Sequence, residues 1–429
     1  MNTRVSRALI VHPEFSSSIS KNNSNLASFE EAIALSKSLG LNVIDQLKIS
    51  ITSPRAGYLF GSGTVEKISY LVEKLKIKLV VINGTISPVQ QRNLERFWQV
   101  KLIDRTHLIL EIFADRAVTR EGKLQVELAS LSYQRTRLVR SWTHLERQRG
   151  ALGFVGGPGE TQIESDRRAI DKAIVRIRKQ LEKVVKTRVL HRKSRKKIPY
   201  PIIAFVGYTN AGKSTLFNLI TDSNVYAKDQ LFATLDPTMR LLELNSKSKV
   251  IISDTVGFIS NLPTELIAAF RATLEEVLDA DLIIHIRDIS HKNTDQQKLD
   301  VLNILSDLGI EKAKLDNMIE VANKIDLLSI DELKKLNNIK KRAQNIFPIS
   351  SKNIVGVSEF INGIDKVLCK DFISETLRLG FDKTGYRAKL YDKSMVMSEK
   401  LHEDGYEISV RWSEKKRGEY FHYINSKKT

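Results

Sequence analysis

Ile202-Ile203-Ala204-Phe205-Val206-Gly207-Tyr208-Thr209-Asn210-Ala211-Gly212-Lys213-Ser214-Thr215 is the stretch that decides the fold. An apolar run feeds a turn bounded by two glycines, and Ser214 opens a helix expected to reach Ile220. That is the spelling of a phosphate-binding loop in its required strand–turn–helix setting. Gly207 and Gly212 let the backbone curl so that successive N–H groups face phosphate oxygens, and the helix N-terminus adds its dipole. Lys213 is placed to reach the β- and γ-phosphates, and the Ser214 hydroxyl to ligate a magnesium ion. An ordinary strand-to-helix turn has no need of Lys-Ser directly after its second glycine.

The base is read further along. Asn323-Lys324-Ile325-Asp326 follows the apolar strand Met318-Ile319-Glu320-Val321-Ala322. A carboxylate at that point accepts hydrogen bonds from the ring N–H and the exocyclic amine of guanine. Adenine lacks this donor pair and would leave Asp326 unpaired, so the expected nucleotide is GTP. Ser350-Ser351-Lys352, closing Phe347-Pro348-Ile349, fits the loop behind the guanine ring. Asp254-Thr255-Val256-Gly257 ends the strand Val250-Ile251-Ile252-Ser253. There Asp254 can hold magnesium through water, and the Gly257 N–H can reach the γ-phosphate. Phe232-Ala233-Thr234-Leu235-Asp236-Pro237-Thr238 is turn-prone and without period. Thr234 is the candidate second magnesium ligand, with Thr238 competing. Loops that touch only the γ-phosphate and its metal are ordered by GTP and released after hydrolysis. Lys213, Thr234 and Gly257 form the expected catalytic set. Phe258 stands where Ras-like switches carry a water-orienting glutamine. Phenylalanine cannot hold a water, so slow intrinsic hydrolysis is expected, completed by a partner, a neighbouring backbone group or a rearranged loop.

A chain of 429 residues exceeds a single core, and 42% apolar residues can fill several. Sixty-eight Lys and Arg against fifty Asp and Glu leave +18, which points to a polyanionic partner. The lone Cys369 excludes an intramolecular disulfide, and no apolar run approaches a membrane span. The start, Met1-Asn2-Thr3-Arg4-Val5, leads into a strand and not into a signal-peptide core, so a cytoplasmic protein is expected.

Around the nucleotide unit the expected class is α/β. Residues 1–118 alternate Ala8–Val11, Leu41–Ile44, Lys78–Ile82 and Lys101–Asp104 as strands with helices opening at Ser28, Thr64 and Pro88. Ser28-Phe29-Glu30-Glu31 has a capping-box spelling. Gly61-Ser62-Gly63 could greet an anion but lacks a Lys-Ser pair and reads as a helix-opening turn. Residues 119–197 carry two apolar seams, Leu124, Leu128, Leu131, Leu138, Trp142, Leu145 and Ile163, Ile170, Ile174, Ile177, Leu181, Val184. Spacings of three and four predict an antiparallel helical hairpin. Its tip, 150–159, holds Gly153-Phe154-Val155-Gly156-Gly157-Pro158-Gly159, an aromatic among glycines flanked by arginines. The second helix ends in a single-signed run that includes Arg188, Arg192, Lys193 and Arg195, suited to phosphate backbones. Residues 198–370 make the nucleotide domain, and 371–429 a small β-containing appendage with a basic, aromatic end.

Several stretches together resemble the HflX family of translational GTPases, within the broader Obg–HflX group. They are Ser87-Pro88-Val89-Gln90-Gln91-Arg92-Asn93-Leu94-Glu95, Ile103-Asp104-Arg105-Thr106 and Thr119-Arg120-Glu121-Gly122-Lys123-Leu124-Gln125-Val126-Glu127-Leu128-Ala129. Further ones are Ser141-Trp142-Thr143-His144-Leu145-Glu146-Arg147-Gln148, Gly157-Pro158-Gly159-Glu160-Thr161-Gln162 and the segment from Leu231 to Thr238. The resemblance implies a GTPase that binds the ribosome, chiefly its large subunit, and whose GTP form separates the subunits, notably under stress; a monomer is expected. It implies that the hairpin tip, with Gly153, Phe154, Gly156 and Gly157, reaches toward the peptidyl-transferase region. It also places the family's magnesium threonine on Thr234. Val155 and an extra glycine depart from the tighter run of relatives, and the tail matches less well. A different reading of the same features is a GTP-gated large-subunit assembly factor without splitting activity.

Overall fold

The computed structural model describes residues 6–15, 22–148, 158–195, 200–222, 232, 238–246, 248–260, 276–343, 345–368, 372–392 and 395–426. In the arm, the side chains of 139–148, 158–163 and 188–195 lie outside that description.

The first unit alternates β1 (Arg7–Phe15), α1 (Asn22–Ser38), β2 (Asn42–Ile51), α2 (Ser62–Lys74), β3 (Leu79–Ile82), α3 (Pro88–Trp98), β4 (Lys101–Asp104) and α4 (Arg105–Arg116). Its sheet is parallel in the order β2-β1-β3-β4. Ala8 to Val11 and Val80 to Ile82 are wholly buried, which is why these strands are continuous apolar runs with helices on both faces. Each such Val, Leu or Ile contributes roughly 1.5–3 kcal/mol by leaving water. β1 and β2 run longer than expected because each supplies the other's ladder, from Arg7 opposite Asn42 to Phe15 opposite Ile51.

Two helix starts need correcting. α1 begins at Asn22, so Ser28-x-x-Glu31 lies inside it. Its would-be cap is engaged elsewhere: Asn83 Nδ2 donates to the Ser28 carbonyl at 3.0 Å, and Glu31 reaches Arg105. α2 begins at Ser62 after an N-cap at Gly61 that makes no side-chain cap bond. α3 starts at Pro88 as expected. Ser87 Oγ accepts from the Gln90 N–H, and Gln90 returns the bond to the Ser87 N–H at 2.8 Å. α4 was not expected. Asp104 caps it, accepting from the His107 N–H at 2.9 Å, and Leu108, Ile109, Ile112 and Phe113 bury its inner face.

The arm is α5 (Arg120–Gln148) and α6 (Pro158–Arg195), 29 and 38 residues long. At 1.5 Å per residue they span about 44 and 57 Å. The helices pack on each other. Leu124, Ile174 and Ile177 of the expected seams are buried, and Arg135, which interrupts the first seam, pairs with Asp171 at 2.8 Å. The seam side chains Trp142, Leu145 and Ile163 lie outside the described residues. Pro158 and Gly159, expected in the tip, form the first turn of α6, where proline's missing N–H costs nothing. Residues 150–157, and the side chains of Arg188, Arg192, Lys193 and Arg195, also fall outside the description.

The second sheet follows. Its elements are β5 (Ile202–Val206), α7 (Lys213–Thr221), β6 (Thr238–Glu243), β7 (Lys249–Asp254), β8 (Leu282–Asp288), α8 (Thr294–Asp307), α9 (Lys312–Asp316), β9 (Ile319–Asn323), α10 (Ile330–Arg342), β10 (Ile346–Pro348) and α11 (Val357–Leu368). Strand order is β10-β9-β8-β5-β7-β6, parallel except for β6. Last come β11 (Phe372–Gly380), α12 (Thr384–Asp392), β12 (Val396–His402), β13 (Gly405–Ser413) and α13 (Glu414–Ser426), with an antiparallel sheet ordered β11-β13-β12. The aromatic end of this unit is largely its own core. Trp412 is fully buried, with the rings of Tyr420 and Phe421 at 5.3 and 5.8 Å. Among the described residues no helix is long and apolar enough to cross a membrane.

Candidate functional site

The loop after β5 is built by close approaches that only glycine permits. Gly207 has φ 152°, and a Cβ there would lie 2.1 Å from the Ile286 carbonyl oxygen of β8. Gly212 has φ 92°, and its Cβ would meet Asn323 Nδ2 at 2.2 Å. That close packing lets Asn323 donate to the Ala211 carbonyl at 2.9 Å and fasten the phosphate loop to the end of β9. Tyr208, Thr209, Ala211 and Lys213 are buried and Asn210 is exposed, with Ser214 and Thr215 opening α7 behind Lys213. Lys213 Nζ donates to the carbonyls of Gly207 and Tyr208 at 3.1 and 2.8 Å. Burial draws its ammonium down to about 8, against the pull of Asp254, so the free loop holds a cation poorly solvated by water.

The residues expected to read the base converge at the neighbouring strand ends. Asn323 Oδ1 accepts from the Ser351 N–H and Oγ, both at 3.0 Å, and Ser350 Oγ donates to Asp326 Oδ1 at 2.5 Å. The Ile325 N–H reaches the Ile349 carbonyl at 3.2 Å, so the Asn323–Asp326 and Ser350–Lys352 loops form one cradle. Lys324 adopts φ 66° and pairs with Asp288 at 2.7 Å. Asp288 was missed in the sequence, although the apolar run Leu282-Ile283-Ile284 that leads to it is a strand signal.

Toward the phosphate end, Ser214 Oγ donates to Asp254 Oδ2 at 2.6 Å. Two hard oxygens this close suit a magnesium ion, one as direct ligand and one through water. Thr255 Oγ1 donates to the Phe205 carbonyl at 2.5 Å, tying the Asp254–Gly257 turn to β5. Val256 and Phe258 are buried in the core shared with α4, so the Phe258 ring serves packing. Phe232 joins the same core, edge-to-face with Phe113 at 4.6 Å. Thr238 opens β6 opposite Asp254. Ala233, Thr234, Leu235 and Asp236 lie outside the described residues.

Comparison with known proteins agrees with this geometry. Residues 27–114 match the family described as GTP-binding GTPase N-terminal, 116–195 the GTP-binding GTPase middle region, and 202–324 the 50S ribosome-binding GTPase. The chain is 44% identical to the GTPase HflX of Magnetococcus marinus over 87% of its own length and 85% of that protein's. It is 40% identical to the GTPase HflX of Escherichia coli, over 93% and 91% of the two chains. A crystal structure of a GTP-binding protein from Sulfolobus solfataricus in complex with GDP aligns with 85% of this chain and 99% of that one, at 23% identity and a TM-score of 0.47. With a phosphate loop, a GTPase family match and these HflX relatives at 40% identity or more over most of both chains, the chain is a GTP hydrolase and belongs to the HflX family.

Proposed function

We propose that this chain is a GTP-driven ribosome factor that engages the ribosome, chiefly the large subunit and its RNA. In its GTP form it separates the subunits, and hydrolysis times its release. The observation that carries this reading is the arm: α5 and α6 lead from the first sheet straight into β5 and the phosphate loop. A rigid hairpin of that length can deliver its tip into a crowded, anionic partner while the nucleotide loops stay at its base.

In this reading Gly207 to Thr215 wrap the phosphates, Lys213 and the Gly257 N–H stabilise the transferring γ-phosphoryl, and Asp326 reads guanine over the Ser350–Lys352 loop. Ser214 and Thr234 would hold magnesium directly and Asp254 through water, and the ion would neutralise charge developing on the phosphates. Phe258 orients no water, so a group of the ribosome or of the rearranged loop completes the site. Gly153, Phe154, Gly156 and Gly157 meet unpaired bases, while Arg188, Arg192, Lys193 and Arg195 make salt-sensitive phosphate contacts. The protein works as a cytoplasmic monomer.

Density-gradient profiles of intact ribosomes test this. With a non-hydrolysable GTP analogue the protein is expected to convert them to free subunits, and with GDP to leave them joined. Removing 150–157 should spare GTP binding and abolish splitting. Joined ribosomes in the presence of the analogue, with the protein bound to large subunits alone, would favour the assembly-factor reading instead.

A further inference from the structure

Ile103-Asp104-Arg105-Thr106 has no part in the nucleotide chemistry described above. Its two charged residues sit at the junction of β4 and α4 and bond to different elements. Asp104, 2% exposed, accepts from the Tyr133 hydroxyl at 2.7 Å and from Arg137 at 3.2 Å. Arg137 also donates to Tyr133 Oη at 2.7 Å and to Gln91 Oε1. Tyr133 and Arg137 lie one turn apart midway along α5, so Asp104 braces the arm there. Arg105 bonds elsewhere, donating to Asn83 Oδ1 at 2.9 Å, to Glu31 at 2.5 Å and to the carbonyl and hydroxyl of Ser260, both at 3.2 Å. Glu31 in turn accepts from Ser260 Oγ at 2.7 Å and from the Tyr208 hydroxyl, whose oxygen takes the Ser260 N–H at 2.7 Å. The Arg105 and Glu31 side chains are 9% and 10% exposed, so solvent screens this pair little.

Tyr208 belongs to the phosphate loop, and Ser260 lies just past Gly257. The intervening strip rests on the loop: the Thr209 N–H donates to the Phe258 carbonyl at 2.7 Å, and the Phe258 N–H to Gly207 at 3.1 Å. A Cβ on Gly257 would stand 2.9 Å from Thr209 Cα and 3.0 Å from Lys213 Nζ. The strip therefore packs directly on the phosphate loop, and any shift of it would move Ser260 against Tyr208, both of which Glu31 holds.

We propose that Asp104-Arg105 is the joint through which the arm and the nucleotide loops sense each other, with Glu31, Tyr133 and Arg105 as positioning residues. Triphosphate binding lifts the Gly257–Ser260 strip, loosens the Glu31 cluster, and through the β4–α4 junction changes how firmly Asp104 holds the middle of α5. The two-state element is the strip, which both sites bias. The inference rests on reading Gly257 as the γ-phosphate sensor.

Hydrogen exchange on the full-length protein, saturated with GDP or with a non-hydrolysable GTP analogue, tests it. Protection of residues 207–215 by either nucleotide reports the site itself, and its absence would sink the nucleotide reading. With that loop protected, the middle of α5 around 130–138 is expected to exchange about fivefold faster with the analogue than with GDP. Equal exchange there would overturn the joint. Glu31→Gln and Arg105→Lys should keep the loop protected and erase the difference at 130–138; a surviving difference counts against the proposal. Glu31→Gln and Tyr133→Phe, at opposite ends of the relay, each remove little volume, and circular dichroism melts verify their folding. Each is expected to change the ratio of GDP to analogue affinity about fivefold, and the double variant no further than the larger single one. Multiplying effects, or none from either variant, would also overturn it.

Discussion

The two parallel sheets of this protein expose the same kind of edge and fill it in opposite ways. At the carboxyl ends of β5, β7, β8 and β9 stand Gly207, Asp254, Asp288 and Asn323, and glycines draw the backbone close around the crevice. Level with one another in the first sheet stand His12 within β1, Asn83 just past β3 and Asp104 at the end of β4, which bond mainly to neighbours, although His12 Nε2 is buried without a hydrogen-bond partner among the described residues. His12 Nδ1 lies 2.9 Å from Asn83 Nδ2, Asn83 takes Arg105, and Asp104 takes Tyr133. A strand-end crevice is the usual place for a ligand in such sheets. Here one edge is shaped for phosphates, while the other braces the molecule. The glycines mark the contrast: a Cβ would collide at Gly207 and Gly212 but meets nothing within 4 Å at Gly61 or Gly63.

The largest effect that could break this comparison comes from the two helix openings. Lys213→Ala is expected to lower GTP turnover by at least about 100-fold, because no other cation of the loop faces the phosphates. Ser62→Ala, at the opening of α2, should leave the rate within error. Comparable losses in steady-state assays would erase the distinction. The glycines sharpen it in stability and binding. Gly212→Ala should weaken GDP binding about tenfold or more and lower the melting temperature, since the new methyl must displace Asn323. Gly63→Ala inside α2 should instead stabilise the fold by ~0.5–1 kcal/mol.

A third effect concerns protons. Burial holds Lys213 near 8, so its neutral form prevails above that pH, and a bound phosphate restores the charge. Nucleotide binding should therefore take up about a quarter of a proton at pH 7.5 and nearly one at pH 9. Calorimetry in buffers of different ionisation heat measures this, and a flat profile would contradict the burial of the lysine. The smallest change is expected at Phe258. Phe258→Gln puts an amide into the core shared with α4, so it should cost about 1–3 kcal/mol of stability and bring no faster hydrolysis. A clear rate gain would mean that the segment can aim a water after all.

The phosphate loop and most of the strands were legible because each obeys a local rule: glycines at fixed spacing and apolar runs of strand length. The arm was legible from its seams, although Pro158 moved from tip to helix because a first-turn proline and a loop proline look alike in sequence. The partnership of Glu31 and Arg105 with Tyr208 and Ser260 was not legible. It joins residues separated by up to 229 positions, and no local pattern encodes such a contact. Ser28-Phe29-Glu30-Glu31 misled for the same reason, since a capping spelling was recruited for tertiary bonds. α4 was missed because Asp104 reads equally well as a strand end and as a helix cap, and here it is both.

The most direct test is to change Asp326, the carboxylate proposed to read the base, and follow the nucleotide. Asp326→Asn exchanges an acceptor for a donor, so GTP affinity is expected to fall by about 100-fold or more while xanthosine triphosphate, which offers the matching acceptor, binds and is hydrolysed. An unchanged preference for GTP in competitive binding would contradict the account, because Asp326 and the Ser350–Lys352 loop would then not be where the base is read.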